Sequence, residues 1–410
     1  SATFLGGVFF TEISEKPFKS LIKKAVSWGV DHLKDFVHSI SYSDWLLLFV
    51  SVVVTLIMLF SIVRLLKSMV LSKVEAFFDK YIFKTAIRAM IFGFGMPTRG
   101  PVAQPEAIKQ VLSLAEELGL GYVSVADHIV IPTEIDPVYP YSDTGEPPFP
   151  EDGECLEQLT LMSYMAAITK NMRILSSVMV VPHRNPIHAA KTIATIDVLS
   201  NGRVTIGCGA GWMEEEFLAI GTEPFRERGK VTDEYISIFK ELWTAENPTF
   251  EGKYNSFSDV KFEPKPVQKP HPPLWIGGES PAAKRRAVRL GDGWFPIGAN
   301  PNFPLNTAAK YLDGLSSLKQ LSAEYNRNPE ELDLGFWSNW DHEVKDRRTL
   351  QDGERHIMTG GTQAITDDIG ELSEAGVEIF MFQLAKPDSV AETLESIERF
   401  AQDISTKFLG

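Results

Sequence analysis

The chain contains 410 residues, only two of them cysteine, and carries a formal net charge of −14 at pH 7. A chain of this length can bury a large hydrophobic core. Two cysteines exclude a disulfide-stapled fold and are typical of a protein from a reducing compartment. The negative charge argues against nucleic acid as a partner, because phosphate contacts need a basic surface.

Charge divides the chain into two parts. Residues 1–89 hold 11 lysines and arginines against 7 aspartates and glutamates, a net charge of +4, which leaves −18 for residues 90–410. Between residues 18 and 40 apolar side chains recur at helical spacing, with lysines mostly between them. This pattern predicts that residues 1–44 are an amphipathic helical leader, which lies on a membrane surface or packs on a partner.

A transmembrane helix is predicted over residues 45–63. These 19 residues carry no charge, and 14 of them are Leu, Ile, Phe or Val, which is long and apolar enough to span a bilayer. Residues 64–89 form a basic helical linker, and the positive-inside rule then places residues 90–410 in the cytoplasm. A buried core helix is the alternative for residues 45–63.

From residue 91 onward, short apolar runs alternate with segments of helical periodicity. The predicted strands are residues 91–96, 122–126, 173–181, 203–208, 274–278, 293–297, 334–337 and 377–384. The predicted helices are residues 105–118, 156–169, 187–199, 232–243, 281–290, 307–325, 362–374 and 389–400. Eight strand–helix pairs predict a (β/α)₈ TIM barrel over residues 90–410, with a doubly wound sheet as the alternative.

The long connection 246–273 is rich in proline and aromatic residues and predicts a hairpin inserted over the mouth of the barrel. The active site of such a barrel lies at the C-terminal ends of its strands. Asp127 and His128 follow the second strand. A histidine there can act on a developing charge while a carboxylate fixes its tautomer, although a polar strand end is the alternative. Neither an HExxH motif nor zinc-ligand spacing occurs, so no metal is expected.

Glycines follow the fourth strand at Gly207, Gly209 and Gly211. Trp212 stands where a dinucleotide-binding fingerprint needs its third glycine, which argues against a Rossmann site. We therefore expect these glycines to let a flat ring approach the backbone. Trp212, with Glu215 or Glu216, would line the same pocket.

A second glycine pair follows the fifth strand at Gly277 and Gly278. Ser280 and Pro281 come next and predict a capped helix start. Its amides could hold a phosphate together with the basic residues of the first turns, which are Lys284, Arg285 and Arg286. A solvated helix face is the alternative.

These stretches together closely resemble the bacterial luciferase-like monooxygenase superfamily, and within it the coenzyme F420-dependent oxidoreductases. The matching segments are residues 92–101, 127–132, 177–178, 182–186, 197–203, 209–217, 262–268 and 291–294. The similarity runs in order through residues 90–410 and does not extend to residues 1–89.

The resemblance implies that F420 lies across the barrel mouth, with His128 close to its deazaflavin ring. It also implies a non-proline cis peptide between Ser177 and Val178 beneath the ring. Gly277, Gly278 and Ser280 correspond to the loop that holds the side chain and phosphate of the cofactor. Trp212 replaces the carboxylate of some sugar-phosphate-oxidising members, so that substrate class is doubtful.

We interpret the chain as a cytoplasm-facing oxidoreductase that moves hydride between F420 and a small organic substrate. His128 would polarise the reacting group and Asp127 would position His128. An FMN-dependent monooxygenase is the first alternative, and a non-catalytic flavin-binding or membrane scaffold protein is the second. A homodimer is compatible with the sequence.

Overall fold

The computed structural model describes residues 90–135, 139, 152–339, 353–384 and 388–408. The predicted leader, transmembrane helix and basic linker, residues 1–44, 45–63 and 64–89, lie outside these described residues. Within the described residues, no helix combines the length and the apolar content needed to cross a bilayer.

Eight parallel strands close into a barrel, which confirms the predicted fold. The strands are β1 (Ile91–Met96), β2 (Tyr122–Val125), β3 (Arg173–Val180), β4 (Val204–Gly209), β7 (Leu274–Gly277), β8 (Gly293–Phe295), β9 (Asp333–Asn339) and β10 (Ile379–Gln383). They follow one another around the barrel in chain order, and β10 pairs with β1 to close it. The strand ends lie within two residues of the predicted ones.

Helices surround the barrel. The described residues contain α1 (Pro105–Glu117), α2 (Gln158–Ile168), α3 (Pro186–Leu199), α4 (Glu214–Ile220), α5 (Arg228–Thr244), α6 (Pro281–Leu290), α7 (Ala308–Glu324), α8 (Thr362–Glu374) and α9 (Val390–Asp403). Eight of them match predicted helices, and α4 has no predicted counterpart. Three glutamates in its first turn favour α4 through the helix dipole, and Gly221, with a φ of 74°, ends it.

Packed side chains fill the barrel towards the end at which the strands begin. The centre is filled by six buried residues, Tyr122, Leu175, Trp275, Phe295, Ile379 and Met381. Two hydrogen bonds accompany this cluster: Trp275 Nε1 donates to Asp333 Oδ2 and Arg173 Nη2 donates to Thr205 Oγ1, both at 3.0 Å. The site is therefore built at the other end, where the strands finish.

The predicted hairpin is present as β5 (Phe250–Glu251) and β6 (Ser256–Phe257), which pair antiparallel. Side-chain carboxylates hold the hairpin in place. The backbone amides of Lys253, Tyr254 and Asn255 all donate to the carboxylate of Glu234, at 2.8–2.9 Å. Lys253 Nζ also donates to Glu227 at 2.8 Å. These carboxylates lie on α5 and just before it, so the hairpin is anchored on an outer helix.

Candidate active site

Segments from three strand ends meet at the mouth of the barrel. Cys155 Sγ donates to Thr98 Oγ1 at 3.4 Å and to the His128 carbonyl at 3.8 Å. Asp127 accepts the backbone N–H of Val180 at 2.8 Å. These contacts join the residues that follow β1 and β2 to the end of β3, where the active site of this fold lies.

His128 is held by Glu216, which lies on α4, 88 positions later in the chain. Nδ1 of His128 is 2.9 Å from Glu216 Oε2. The other carboxylate oxygen accepts the backbone N–H groups of Ile129 at 2.7 Å and Val130 at 3.3 Å. The Glu216 side chain is 1% exposed and that of His128 is 16% exposed. One buried carboxylate thus fixes both the imidazole ring and the loop that carries it.

The electrostatics of this pair indicate which nitrogen of His128 carries the proton in the neutral ring. Burial alone would raise the pKa of Glu216, but the hydrogen bond and charge of His128 and the Ile129 amide lower that pKa below its ordinary value. Glu216 is therefore ionised near neutral pH, and its hydrogen bond assigns the proton of the neutral ring to Nδ1. Nε2 is then the nitrogen that can accept a proton.

The predicted role of Asp127 in positioning His128 is corrected by its contacts. Its two carboxylate oxygens each accept an N–H of Arg184 at 2.7 Å. Arg184 also donates to Glu157 at 2.6 Å. Burial alone would lower the pKa of Arg184, but its hydrogen bonds and ion pairs with both carboxylates raise that pKa above its ordinary value. Asp127 therefore anchors the end of β3 through Arg184 and Val180. It lies close to the site, but its hydrogen bonds are to these two residues and not to His128.

A second histidine, His183, lies close to Glu216. The His183 side chain is 1% exposed, and its Nδ1 is 3.9 Å from Glu216 Oε1. Neither ring nitrogen has a hydrogen-bond partner in the described part of the chain. The ring packs edge-on against Phe217 with centroids 4.8 Å apart. Burial lowers the pKa of His183 despite the negative charges of Glu216 and Asp127, so the ring is neutral in the folded protein.

The predicted cis peptide bond between Ser177 and Val178 is present, and the register of β3 against β4 shifts at this point. Both residues are half-buried. A Cβ at Gly209 would stand 2.5 Å from Val178 Cγ2, and one at Gly277 would stand 2.8 Å from Val178 Cγ1. Gly209 and Gly277 thus accommodate the Val178 side chain because neither carries a Cβ. The valine forms an apolar surface at the mouth.

Gly211 and Trp212 lead from β4 into α4. Gly211 has a φ of 86°, which favours glycine, and a Cβ there would stand 2.6 Å from Phe217 Cε2. Gly211 thus lets the chain turn closely over α4. Trp212 is half-buried and meets Tyr139 edge-on, with ring centroids 5.3 Å apart. The two rings form an aromatic wall next to the helix that carries Glu216.

The predicted capped helix start is present at α6. Ser280 Oγ accepts the backbone N–H of Ala283 at 3.2 Å, and Pro281 is the first helical residue. Gly278 has a φ of 96°, a conformation that other residues rarely adopt, and a Cβ there would stand 3.3 Å from the Cβ of Ala283. The loop from Gly277 to Ser280 is therefore a tight turn that points helix amides towards the mouth.

The basic side chains of α6 are not all available to an anion. Arg286 is buried and donates to Asp233 at 2.5 Å and to the Gly229 carbonyl at 2.9 Å, which ties α6 to α5. Its predicted phosphate contact is corrected. Lys284 is half-buried, and burial lowers its pKa. Arg285 is exposed.

Within the described residues, no group of three or more His, Cys, Asp or Glu side chains is arranged to hold a metal ion. The sequence offers Glu216 only as one of two candidates, with Glu215, to line the pocket beside Trp212, and does not pair it with His128. The signal for Glu216 is that this residue and Phe217 are the buried positions of α4. An unrecognised helix hides this pattern in the sequence.

A family model described as luciferase-like monooxygenase matches residues 86–339, more than half of the chain. Over 145 residues the chain is 37% identical to the FMNH(2)-dependent dimethylsulfone monooxygenase of Pseudomonas putida. That alignment covers 35% of this chain and 39% of the relative, so the chain spans about two fifths of the relative's length.

Solved structures share the fold. A monooxygenase from Streptomyces bottropensis superimposes with a TM-score of 0.61 and 21% identity, covering 78% of this chain and 100% of that one. An F420-dependent secondary alcohol dehydrogenase, in complex with an F420-acetone adduct, gives a TM-score of 0.60 and 18% identity, covering 77% and 98%. At these identities the likeness concerns the fold alone.

Proposed function

Because the chain belongs to the luciferase-like monooxygenase family, we propose that it transfers hydride between coenzyme F420 and a small organic substrate. The observation that carries this proposal is the pair His128–Glu216, at 2.9 Å, at the same end of the barrel as the half-buried Val178. Hydride transfer to or from a carbon that bears oxygen must be matched by a proton on that oxygen. A histidine fixed by a buried carboxylate can supply or remove it.

The residues at the mouth fit a flat, anionic cofactor. Ser177 and Val178 give a partly exposed surface for a ring, with Val178 fixed between Gly209 and Gly277. Gly211 and Trp212 would border the ring on the α4 side. Gly277, Gly278 and Ser280, with the amides that begin α6, would hold a phosphate. When bound, F420 would supply the donor or acceptor of the hydride.

The protein's part in the reaction is to orient the substrate and to move one proton at Nε2 of His128. In the oxidising direction, neutral Nε2 takes the hydroxyl proton as the substrate carbon loses hydride. In the reducing direction, protonated Nε2 returns a proton to the oxygen. Glu216 remains ionised throughout and stabilises the imidazolium, because it is buried and lies 2.9 Å from Nδ1.

The second candidate function is an FMN-dependent monooxygenase. The observation that favours it is the 37% identity, over 145 residues, with an FMNH(2)-dependent enzyme. The same surface at Val178 could support an isoalloxazine ring, and the same α6 amides could bind its phosphate. The two functions differ in their need for oxygen and in which cofactor binds more tightly.

Parallel titration of the full chain with F420 and with FMN tests the proposal. We expect F420 to bind about tenfold or more tightly than FMN, a difference of roughly 1.4 kcal/mol. The variant Arg399→Met, at a half-buried position on the outer helix α9, serves as a control for nonspecific binding. Equal binding, or tighter binding of FMN, would reject the F420 assignment in favour of the monooxygenase.

A further inference from the structure

Arg99 lies just after β1 at the mouth of the barrel and is half-buried. Among the arginines of the described residues that are at least partly buried, it is the one whose guanidinium makes neither a hydrogen bond nor an ion pair. The others each have a carbonyl, hydroxyl or carboxylate partner: Arg173, Arg184, Arg203, Arg228, Arg286, Arg327, Arg355 and Arg399. A partly desolvated cation without an anion is unfavourable, and a bound anion would relieve that cost.

The backbone on both sides of Arg99 is fixed. The Thr98 carbonyl accepts the N–H of Leu156 at 2.8 Å, and the Gly100 N–H donates to Glu154 Oε2 at 2.9 Å. The segment that carries Arg99 is therefore tied to the chain that precedes α2. Such an attachment places the guanidinium reproducibly, as recognition of a specific anion requires.

Arg99 lies on the same side of the mouth as the reacting histidine and the aromatic wall. Cys155 contacts both Thr98 and the His128 carbonyl, at 3.4 and 3.8 Å. Burial raises the pKa of the Tyr139 hydroxyl and of the Cys155 thiol, and the positive charge of Arg99 opposes both shifts. The guanidinium is thus within electrostatic range of both groups.

The nearby carboxylates are bound to other residues. Asp127 and Glu157 both pair with Arg184, and Glu216 pairs with His128. The charge of Arg99 is therefore balanced by no carboxylate of the described residues within ion-pair distance. Because the barrel region carries a large negative charge overall, a positive group at its mouth with no anionic partner among the described residues would favour an anionic ligand over a neutral one.

We propose that Arg99 binds the carboxylate of an organic acid substrate, whose apolar ring or chain lies against Trp212 and Tyr139 and whose reacting carbon faces His128. A guanidinium presents parallel N–H groups that match a carboxylate, and aromatic side chains suit a flat apolar body. The inference rests on the proposed function and names the substrate class of the same site.

The test measures binding of acids and of their neutral analogues to the full chain. Equilibrium dialysis gives the Kd of benzoate, cinnamate and cyclohexanecarboxylate, each against the corresponding amide. We expect at least one acid to bind the unmodified chain about tenfold or more tightly than its amide, since a charge-assisted hydrogen bond is lost in the amide. Arg99→Met should abolish this preference without weakening amide binding, and Arg99→Lys should retain part of it. The preference should be unchanged in Arg399→Met.

Two results overturn the inference. One is that no acid binds more tightly than its amide to the unmodified chain. The other is that Arg99→Met keeps the preference.

Titrating Arg99→Met with F420 and FMN separates this inference from the proposed function. Unchanged cofactor affinity supports the substrate assignment. A tenfold weaker affinity for either cofactor would place a cofactor anion on Arg99 and overturn the assignment, with the proposed function intact. If the unmodified chain binds neither cofactor while the acid preference persists, the carboxylate site stands and the proposed function fails.

Discussion

Glu216 Oε2 lies 2.9 Å from Nδ1 of His128, although the two residues are 88 positions apart in the chain. Asp127, directly before His128 in the chain, bonds to Arg184 and Val180. The carboxylate that controls the imidazole therefore comes from the short helix after β4. The contact makes α4 part of the site, and the proton chemistry proposed for His128 depends on it.

Replacing His128 by alanine should lower turnover more than it weakens cofactor binding. A positioned proton donor or acceptor contributes roughly 100-fold or more to the rate, so we expect kcat to fall by about that factor while the cofactor Kd changes little. Steady-state kinetics and a cofactor titration of the same preparation measure both. His188→Ala, at an exposed position on α3, is the matched control. An unchanged kcat in His128→Ala would leave the histidine without a catalytic role.

Glu216→Gln should slow the reaction without releasing the cofactor. The amide cannot stabilise a protonated His128, and we expect a loss in kcat of about tenfold or more. The depressed pKa of Glu216 means that the carboxylate is ionised across the neutral range, so the loss should persist from pH 6 to pH 8. Glu214→Gln, exposed on the same helix, should behave like the unmodified chain. Equal rates for the two variants would show that Glu216 has only a structural role.

The fold was accessible from the sequence because parallel barrel strands are buried on both faces. Runs such as residues 203–208 and 377–384 are therefore almost continuously apolar, and periodicity places them within two residues of β4 and β10. The cis bond at Ser177–Val178 has no signal in periodicity and followed from the family resemblance. Local patterns thus determine the elements, whereas backbone isomers at one position depend on tertiary packing.

The site could be predicted from the sequence only in part, because its contacts join residues that are distant in the chain. Adjacency in the chain suggested Asp127 as the partner of His128, but neighbouring residues at a strand end point in different directions. Gly209 and Gly277 were correctly placed at the mouth, yet the side chain that occupies their space, Val178, comes from a third strand. Contacts between residues distant in sequence need the closed barrel to become visible.

His183 should make the protein less stable as the pH falls below neutrality. Its folded pKa is depressed by burial, so the unfolded chain takes up a proton that the folded chain does not. His183 makes its full contribution to stability above its unfolded pKa of about 6.5. This contribution is lost as the pH falls towards the lower folded pKa. This slope is at most about 1.4 kcal/mol per pH unit for one group.

The measurement for His183 is urea unfolding at pH 7.5 and 5.5, a window above the range in which Glu216 titrates. His183→Phe should lose less stability over this window than the unmodified chain, because a phenyl ring cannot be protonated. His188→Phe, at an exposed position, should retain the slope. The idea is rejected if His183→Phe and the unmodified chain show the same dependence.

Gly209→Ala should displace Val178 and weaken cofactor binding. The new Cβ would stand 2.5 Å from Val178 Cγ2, inside contact distance. Overpacking of this kind costs about 1–3 kcal/mol, and we expect the cofactor Kd to rise by about tenfold or more. Gly370→Ala is the control, since no atom lies within 4 Å of its Cβ position. Retention of full affinity in Gly209→Ala would show that Val178 does not support the ring.

The central claim is that the reaction moves hydride and not oxygen, and isotope transfer tests it most directly. Reduced F420 carrying deuterium at C5 is supplied to the full chain with aromatic and alicyclic keto acids, first without oxygen and then in air. The account predicts oxidation of the cofactor without oxygen, deuterium on the former carbonyl carbon, and the same rate in air. Turnover that requires oxygen and reduced FMN, with ¹⁸O from labelled O₂ in the product, would contradict it.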